Sequence, residues 1–367
     1  MTTLTSVHTQ SLFEFTSPDL SEWLKEHGQP SFRVGQIFQW VYQKHASSFD
    51  DMSNLSKDLR ARFKEHFTLE TPALVTEQYD QADQTRKILL ELSDGERVEA
   101  VLMPRFQKRV MTNPQTGEVS GREKFDSYTT CLSTQAGCLF ACKFCASGQL
   151  GYERNLSAGE IVSQFMTFAR QGHRITNIVF MGMGEPLHNL VELRKAVDIL
   201  CDRNGIGLSP RRITISTVGL VPEIYRMAEE SWKTRLAVSL HATTDEKRAR
   251  LLPVSRAYQI DQLKDALLYY QKQQGRRLSF EYLMIDGFND SAKDAERMID
   301  ICEDLVCHVN LIPFNSVPRS EFKAASPESI RRFQRILLKN GIDTTIRYSR
   351  GRNIDAACGQ LRMRHEQ

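Results

Sequence analysis

The sequence lacks the features that mark membrane proteins, secreted proteins and low-complexity chains. Its apolar runs fall short of the roughly 20 residues that a membrane-spanning helix needs. The first residues show no basic segment followed by an apolar run, as a secretory signal would, and no short repeat or biased tract occurs. These absences predict a globular, cytoplasmic protein without membrane association. Thiols stay reduced in that compartment, so clustered cysteines there indicate metal binding or catalysis.

A large excess of one charge is also missing, because the net charge is +3 over 367 residues. The distribution is uneven, however, since residues 331–367 carry nine basic and three acidic side chains and the rest is net acidic. A basic carboxyl-terminal region favours a polyanionic partner whose phosphates it would neutralise. A solvated helix face with a frayed terminus explains the same pattern equally well.

Hydrophobic periodicity divides the chain into two parts. Apolar residues recur at helical spacing from Asp19 to Phe67, and strand-like runs follow up to residue 104, with a hairpin turn at Ser93–Gly95. Beyond residue 127, strand-like runs alternate with helical patterns, which is typical of a parallel α/β sheet closed or partly closed into a barrel. The predicted division is a flexible tail (1–17), a small helical and α+β domain (18–104), a polar linker or hairpin insert (105–127), the barrel (128–350) and a loop with a basic tail (351–367).

Four of the eight cysteines fall between residues 131 and 145. Cys138, Cys142 and Cys145 form a CxxxCxxC triplet after the first barrel strand, where such barrels gather functional groups. Structural zinc takes four ligands, but only three cysteines are tightly spaced, and the nearest downstream histidine, His173, is too far away to be a local fourth ligand. Three thiolates on a four-iron cluster would instead leave one iron open. The triplet therefore favours a catalytic 4Fe–4S cluster over zinc. Inert buried thiols are the third alternative.

The triplet, with Phe144 before its last cysteine, resembles the radical S-adenosylmethionine (SAM) superfamily. Within it, the chain resembles the RlmN/Cfr family of RNA adenine methyltransferases over roughly residues 18–361. The stretches that carry this resemblance are Cys131–Cys138, Gly182–Pro186, Ser239–His241, Asn310–Asn315 and Asp355–Leu361, with Phe32–Arg33 and Phe49–Met52 in the N-terminal domain.

The resemblance implies a fold and a cofactor site. The fold would be a radical SAM partial (βα)6 barrel with a small N-terminal α+β domain. The cysteine triplet would hold one 4Fe–4S cluster per chain, and two SAM molecules would be consumed per turnover. The positions matching the family's SAM site are Gly184, Glu185, Ser216, Ser239, Leu240, His241 and Asn315. Without the resemblance, Ser216 and Asn315 would be interpreted as strand-end caps and His241 as a satisfied histidine at the rim.

The family's chemistry also implies roles for three residues outside the SAM site. Cys358 would take a methyl group from SAM and carry it as a methylene radical to adenine. Cys131 would release the product by attacking Cys358, which leaves a disulfide. Glu99 would remove the ring proton, although alone it would be interpreted as a solvent-facing strand residue. Basic neighbours of Cys358 at Arg347, Arg350 and Arg352 would favour its thiolate.

The implied function is methylation of carbon 2 of an adenine in 23S ribosomal RNA, with tRNA as a second candidate substrate. The N-terminal domain, Arg211, Arg212 and the basic carboxyl-terminal region would contact RNA, and flavodoxin or ferredoxin would supply electrons to a monomer. The rival branch of the family methylates carbon 8 and confers antibiotic resistance. That branch has Ala at the position of Pro186, which favours carbon 2.

Two alternatives lie outside this reading. One is a non-enzymatic, zinc-bound RNA-binding protein, and the other is a different radical SAM enzyme, in which Cys131 and Cys358 would have no role.

The sequence departs from the family pattern at three places: Phe314 replaces a common Trp, Ser316 replaces a common Pro, and the segment between Glu99 and Cys131 is long. The insert in that segment could re-route the strand that presents Glu99.

Overall fold

The structure is a computed structural model that describes residues 9–112, 119–317 and 320–361. Its elements follow the predicted change from helices to strands to alternating strands and helices. The described strands are β1 (Gln10–Ser11), β2 (Phe67–Thr68), β3 (Ala73–Tyr79), β4 (Arg86–Glu91), β5 (Arg97–Thr112), β6 (Val119–Cys131), β7 (Gln135–Gly137), β8 (Tyr152–Asn155), β9 (Ile175–Phe180), β10 (Ile213–Thr217), β11 (Arg235–Ser239), β12 (Leu278–Met284), β13 (Cys307–Pro313) and β14 (Thr344–Ile346).

The described helices begin mostly at side-chain caps. Thr16 and Asp19 form a capping box at the first helix, Ser157 and Glu160 form another at the fourth, and Pro327 opens the last. The helices are α1 (Ser17–Glu26), α2 (Arg33–Phe38), α3 (Lys57–His66), α4 (Ala158–Arg170), α5 (Leu190–Cys201), α6 (Val221–Glu229), α7 (Asp245–Leu251), α8 (Ile260–Gln274), α9 (Ala292–Cys302) and α10 (Pro327–Lys339).

One prediction about the amino terminus is wrong for residues 9–17, while residues 1–8 lie outside the part of the chain that the structure describes. Residues 1–17 were expected to form a flexible tail, but the described part of that segment is packed into the protein. Leu12 and Phe13 are fully buried in the main hydrophobic core, and β1 pairs with β2. Sequence periodicity misses this segment, because its apolar residues are too few to form a repeat and are buried by contacts with distant parts of the chain.

The predicted α/β architecture is confirmed. Ten strands of the described chain form one sheet in the order β14-β13-β12-β11-β10-β9-β6-β5-β4-β3. The strands from β6 through β9 to β14 are parallel, and β5, β4 and β3 extend the sheet as an antiparallel meander. Helices α4 to α10 follow the parallel strands, as in successive βα units. Among the described strands β14 and β3, at the two ends of this order, do not pair with each other, so the barrel is partial.

Successive side chains along the strands face the hydrophobic core and the site in alternation. On β12, Phe280, Tyr282 and Met284 pack in the main core, whereas Glu281 and Leu283 line a cleft on the opposite face. The parallel strands all point their carboxyl ends towards this cleft. Because functional groups on such sheets gather at that edge, the fold places the site there.

The 105–127 segment continues the sheet in the parts that the structure describes. The backbone of β5 pairs antiparallel with β6 from Val101↔Cys131 to Thr112↔Val119, with a register shift after Arg105. The hairpin interpretation of this insert therefore describes its observed backbone. No helix in the described residues is long and apolar enough to span a bilayer.

Candidate active site

A cleft opens at the carboxyl ends of the parallel strands. Functional sites of such barrels lie at this end of the strands. The structure brings most of the predicted residues to the walls of the cleft: Cys138, Cys142, Cys145, Gly184, Glu185, Ser216, Ser239, His241 and Cys358. Two predicted SAM-site residues lie elsewhere. Leu240 is buried in the core, and Asn315 donates hydrogen bonds to the Ser349 hydroxyl (2.8 Å) and the Cys358 carbonyl (3.2 Å).

The cysteine triplet lies in a compact loop on one wall of the cleft. Burial raises the pKa of the Cys138 thiol to about 12 and raises the pKa of Cys142 and of Cys145 as well. The three thiols also disfavour one another's charged forms, although within the described residues they are not arranged as a ready-made set of metal ligands. Backbone N–H groups of Ser147 and Gly148 donate to the Cys145 sulfur. Thiolates here need a bound cation, and hydrogen bonds to sulfur are typical of iron–sulfur sites.

A buried cation next to the triplet also fits an anionic cluster. Arg248 is fully buried, and Asp245 offsets only part of the effect of burial, because the pKa of the guanidinium stays lowered. Its Nη2 donates to the Val218 carbonyl at 2.5 Å, while its Nε has no partner. Burial lowers the pKa of Arg248 to about 10, so it stays charged at neutral pH, and it interacts with Cys142. A buried charge needs compensation, which a cluster held by three thiolates would supply.

Glycines shape the turn that follows β9. A Cβ on Gly184, which has a φ of +96°, would lie 2.6 Å from the Gln135 side chain, and one on Gly182 would lie 2.7 Å from the Leu132 carbonyl oxygen. Both positions therefore exclude larger residues. The turn leaves Glu185 buried, with its carboxylate accepting N–H bonds from Leu187 (3.1 Å) and Val218 (2.9 Å). Burial nevertheless raises the pKa of Glu185 to about 7.

His241 is held in an unusual backbone conformation at the end of β11. Its φ is +57°, and the Asn289 amide fixes its carbonyl at 2.7 Å. Burial lowers the pKa of the imidazole to about 3, and Nδ1 accepts the Leu283 N–H at 3.1 Å. The ring is therefore neutral with its proton on Nε2. Strained backbone at a cleft is typical of ligand sites, so His241 is a donor available to a ligand here.

Cys131 and Cys358 lie together in a second, smaller cavity. This cavity shares Met181, Arg347, Cys358 and Leu361 with the main cleft. Cys131 is buried and Cys358 is half-buried. Burial raises the pKa of Cys131 to about 12, and the neighbouring Cys358 adds to that shift. The structure thus brings together two thiols that are more than two hundred residues apart in the sequence, both as free thiols.

The Cys358 loop packs directly against the cysteine-triplet loop. The Gly359 carbonyl accepts from the Ala146 N–H at 2.7 Å, and the Leu361 carbonyl accepts from the Ser147 hydroxyl at 2.7 Å. Gly359 has a φ of +83°, and a Cβ there would lie 2.9 Å from the Phe144 carbonyl oxygen. The sulfur of Cys358 is therefore positioned at the cleft by contacts with the predicted cluster loop.

Glu99 is buried, at 1% exposure, so the alternative of a solvent-facing residue is wrong. The strand that carries it is not re-routed, because Glu99 pairs with Leu89 on β4 and Val101 pairs with Cys131 on β6. Glu99 lies on the same face of β5 as Val101 and Met103, which line the small cavity. The carboxylate pairs with Lys87 Nζ at 3.1 Å.

Sequence reasoning missed two charged residues at this site. Glu281 lines the cleft, accepts a 2.8 Å hydrogen bond from Asn310 and lies 3.8 Å from Arg347. Its signal was present, since it is the one acidic residue in the apolar run of β12. Lys87 had no local signal, because its burial depends on pairing between strands.

The basic residues predicted to meet RNA are distributed unevenly. Arg347 lines both cavities, and the pKa of its guanidinium is raised chiefly by the nearby Cys358. Arg350 instead donates to the Pro104 carbonyl at 2.6 Å, and Arg352 is exposed. Arg211 and Arg212 are exposed just before β10 begins. They therefore lie near the amino ends of the parallel strands, whereas the cleft lies at the carboxyl ends. The structure therefore does not bring them to the cleft.

Comparisons with known proteins agree with this geometry. Residues 132–299 match the radical SAM superfamily, and residues 10–69 match the ribosomal RNA large subunit methyltransferase N-terminal domain. The crystal structure of a radical SAM methyltransferase from Sphaerobacter thermophilus superposes with a TM-score of 0.86 at 42% identity, over 96% of this chain and 99% of that one. A partial barrel with a cysteine triplet beside a small-molecule cleft is the architecture of a radical SAM enzyme.

The names of two relatives identify the family within this superfamily. A probable dual-specificity RNA methyltransferase RlmN from Staphylococcus haemolyticus is 42% identical over 98% of this chain and 94% of its own length. A protein of the same name from Halalkalibacterium halodurans is 42% identical over 96% and 93%. The chain belongs to the RlmN family of dual-specificity RNA methyltransferases. It is therefore an enzyme that acts on RNA, with SAM and a 4Fe–4S cluster as cofactors.

Proposed function

We propose that this enzyme methylates carbon 2 of an adenine in 23S ribosomal RNA and also acts on tRNA, with the methyl group carried on Cys358. The observation that supports this most is the cavity shared by Cys131 and Cys358, which adjoins the SAM cleft. Direct methyl transfer from SAM needs no second thiol. The name of the relatives, dual-specificity RNA methyltransferase, supports a second RNA substrate.

The chemistry of the acceptor explains why a carrier is needed. Carbon 2 of adenine is electron-poor and cannot attack the SAM methyl group as a nitrogen nucleophile would. Cys358 solves this by accepting a methyl group from one SAM through its thiolate. When bound, the cluster and a second SAM supply a 5′-deoxyadenosyl radical. The S-methyl group of Cys358 loses a hydrogen atom to it and adds to carbon 2.

Two side chains then complete the reaction. Glu99 accepts the proton from carbon 2, and the ring regains aromaticity as the adduct gives up one electron, which a bound cluster would accept. Cys131 attacks the Cys358 sulfur, so that an S–S bond forms, the S–CH2 bond breaks, and the released carbon takes a proton to become the methyl group. An external dithiol reduces the resulting disulfide before the next turnover.

In the proposed mechanism, the residues around the cleft bind the two cofactors. Cys138, Cys142 and Cys145 would hold one 4Fe–4S cluster per chain, which would supply the electron for reductive cleavage of the second SAM of each turnover. Gly184, Glu185, Ser216, Ser239 and His241 surround SAM, while Leu240 and Asn315 act on it indirectly through the backbone and through the Cys358 loop. The enzyme works as a cytoplasmic monomer that receives electrons from flavodoxin or ferredoxin.

Binding of SAM should depend on pH through Glu185. Its pKa of about 7 means that the carboxylate, which would pair with the SAM ammonium group, is lost as pH falls. We expect the SAM dissociation constant to rise about tenfold from pH 8 to pH 6. Equilibrium dialysis with cluster-loaded enzyme measures this, and Glu185→Gln should flatten the profile over that range. An unchanged slope in Glu185→Gln would assign the titration to another group.

The proposed product is tested by mass spectrometry of RNA digested after incubation with the enzyme. The expected product is 2-methyladenosine from both 23S rRNA and tRNA. The carbon-8 alternative is disfavoured because the relatives are named RlmN and because Pro186 stands where that branch has Ala. If 8-methyladenosine is the sole product, the proposal is wrong.

A further inference from the structure

A buried lysine pairs with the proposed base. Lys87, on β4, is 6% exposed, and its Nζ lies 3.1 Å from the Glu99 carboxylate, which is 1% exposed. Lysine is almost never buried to this extent without a partner, because removing the ammonium from water costs more than one surface ion pair returns. A pair this deeply buried beside reactive groups therefore calls for a role other than stability.

The same ammonium group also contacts the loop that carries Cys358. Lys87 Nζ donates to the Asp355 carbonyl oxygen at 3.3 Å. Asp355 stands three residues before Cys358 and has a φ of +50°, in the left-handed region that favours glycine. One lysine thus contacts both the proposed base and the strained turn leading to the proposed methyl carrier.

Other contacts hold the rest of this loop to the same three-stranded meander. The Gly351 N–H donates to the Asp83 carboxylate at 2.8 Å, and the Asn353 amide donates to Asp80 at 3.0 Å. Gly351 has a φ of +66°, and a Cβ there would lie 2.6 Å from the Ala356 Cβ. The loop is therefore fixed along its length without Lys87, so the contribution of Lys87 can be separated from that of the loop anchors.

We propose that Lys87 is a positioning residue for the proton-removal step, a role that rests on the proposed functions of Glu99 and Cys358. Lys87 fixes the Glu99 carboxylate relative to the adduct carried by Cys358. Its ammonium group also places a positive charge 3.1 Å from the carboxylate that is to accept the proton. Methyl transfer to Cys358 precedes this step and does not require Lys87.

The test uses Lys87→Met, which keeps the length of the side chain and removes its charge. We expect this variant to retain the cluster and the methyl group on Cys358, shown by iron content and by protein mass spectrometry. Product formation should fall about 10- to 100-fold through kcat, with little change in KM for RNA. The covalent enzyme–RNA adduct should accumulate on denaturing gels. A merely structural lysine would lose cluster, methylation and product together, and that result would overturn the proposal.

Two further variants guard against misfolding. Lys87→Gln keeps a donor for the Asp355 carbonyl, so it should accumulate the adduct if charge is the main contribution. The double variant Lys87→Met/Glu99→Gln buries no unpaired charge and should match Glu99→Gln alone, because the two residues act in one step. Additive losses in the double variant would contradict the proposal. The matched control is Arg86→Met on the same strand, whose exposed pair with Glu77 (2.6 Å) lies outside the site.

Glu99→Gln separates failure of this inference from failure of the proposed mechanism. If Glu99→Gln accumulates the adduct and Lys87→Met does not, the role of Lys87 is wrong while that of Glu99 stands. If Glu99→Gln releases product at the normal rate, the proposed base is wrong, and the positioning role of Lys87 is wrong with it.

Discussion

Replacing Cys358 by Ala is expected to abolish RNA methylation, by at least about 1,000-fold, because the variant has no atom to carry the methyl group. The wild-type protein digested after exposure to SAM should show one additional methyl group on the peptide containing Cys358, and the variant should show none. Cluster content should be unchanged, since Cys358 lies outside the triplet. Product and protein methylation are both measured by mass spectrometry.

Cys201→Ala is the matched control for this variant. Cys201 ends α5, is half-buried and lines neither cavity, so its loss should leave methylation near the wild-type level. If Cys358→Ala still methylated RNA, the alternative of a different radical SAM enzyme would be correct and the carrier mechanism would be excluded. Retention of the protein methyl group on another residue would likewise contradict the assignment.

The sequence predicted those parts of the site whose chemistry is encoded locally. The triplet was identified by its spacing, and the strands that lead to Gly184, Ser216 and Ser239 were identified by their apolar runs. Each of these signals lies within a few consecutive residues. The barrel could be predicted for the same reason, because a βα repeat is a local pattern that is copied along the chain.

Features that depend on contacts between distant segments were beyond the sequence. The burial of Leu12 and Phe13 requires the pairing of β1 with β2, which are separated by more than fifty residues.

The contact between Lys87 and Glu99 could in principle have been predicted from the sequence. The turn at Ser93–Gly95 sets the hairpin register so that Lys87 faces Val101, and its diagonal neighbour on that face is Glu99. The position of Lys87, however, also involves the Cys358 loop, because its Nζ donates to the Asp355 carbonyl oxygen.

A difference in burial between Cys131 and Cys358 supports the proposal that Cys358 is the one that accepts the methyl group. Cys358 lines the main cleft, where SAM would lie, and Cys131 does not. Burial holds the pKa of Cys131 at about 12, so in the resting enzyme it is a neutral thiol and a poor nucleophile. Nearby Arg347 opposes this shift. Cys131 is therefore unreactive towards SAM and available for the last step.

Replacing Cys131 by Ala should accordingly trap the reaction after the methylene group has joined the RNA. The variant should still acquire the methyl group on Cys358, because that step does not use Cys131. It should then accumulate a covalent protein–RNA adduct, because no thiol remains to break the S–CH2 bond. Denaturing gel electrophoresis with labelled RNA measures the adduct, and nuclease digestion followed by mass spectrometry locates it on Cys358.

The pH dependence of the wild-type enzyme provides an independent check on this last step. Attack requires the Cys131 thiolate, and a pKa of about 12 means that its population rises about tenfold for each pH unit between 7 and 9. Single-turnover release of product should therefore speed up with pH over this range, provided that the adduct has already formed. Release of free product from Cys131→Ala at the normal rate would exclude the resolving role, since another nucleophile would then have to break the bond to Cys358.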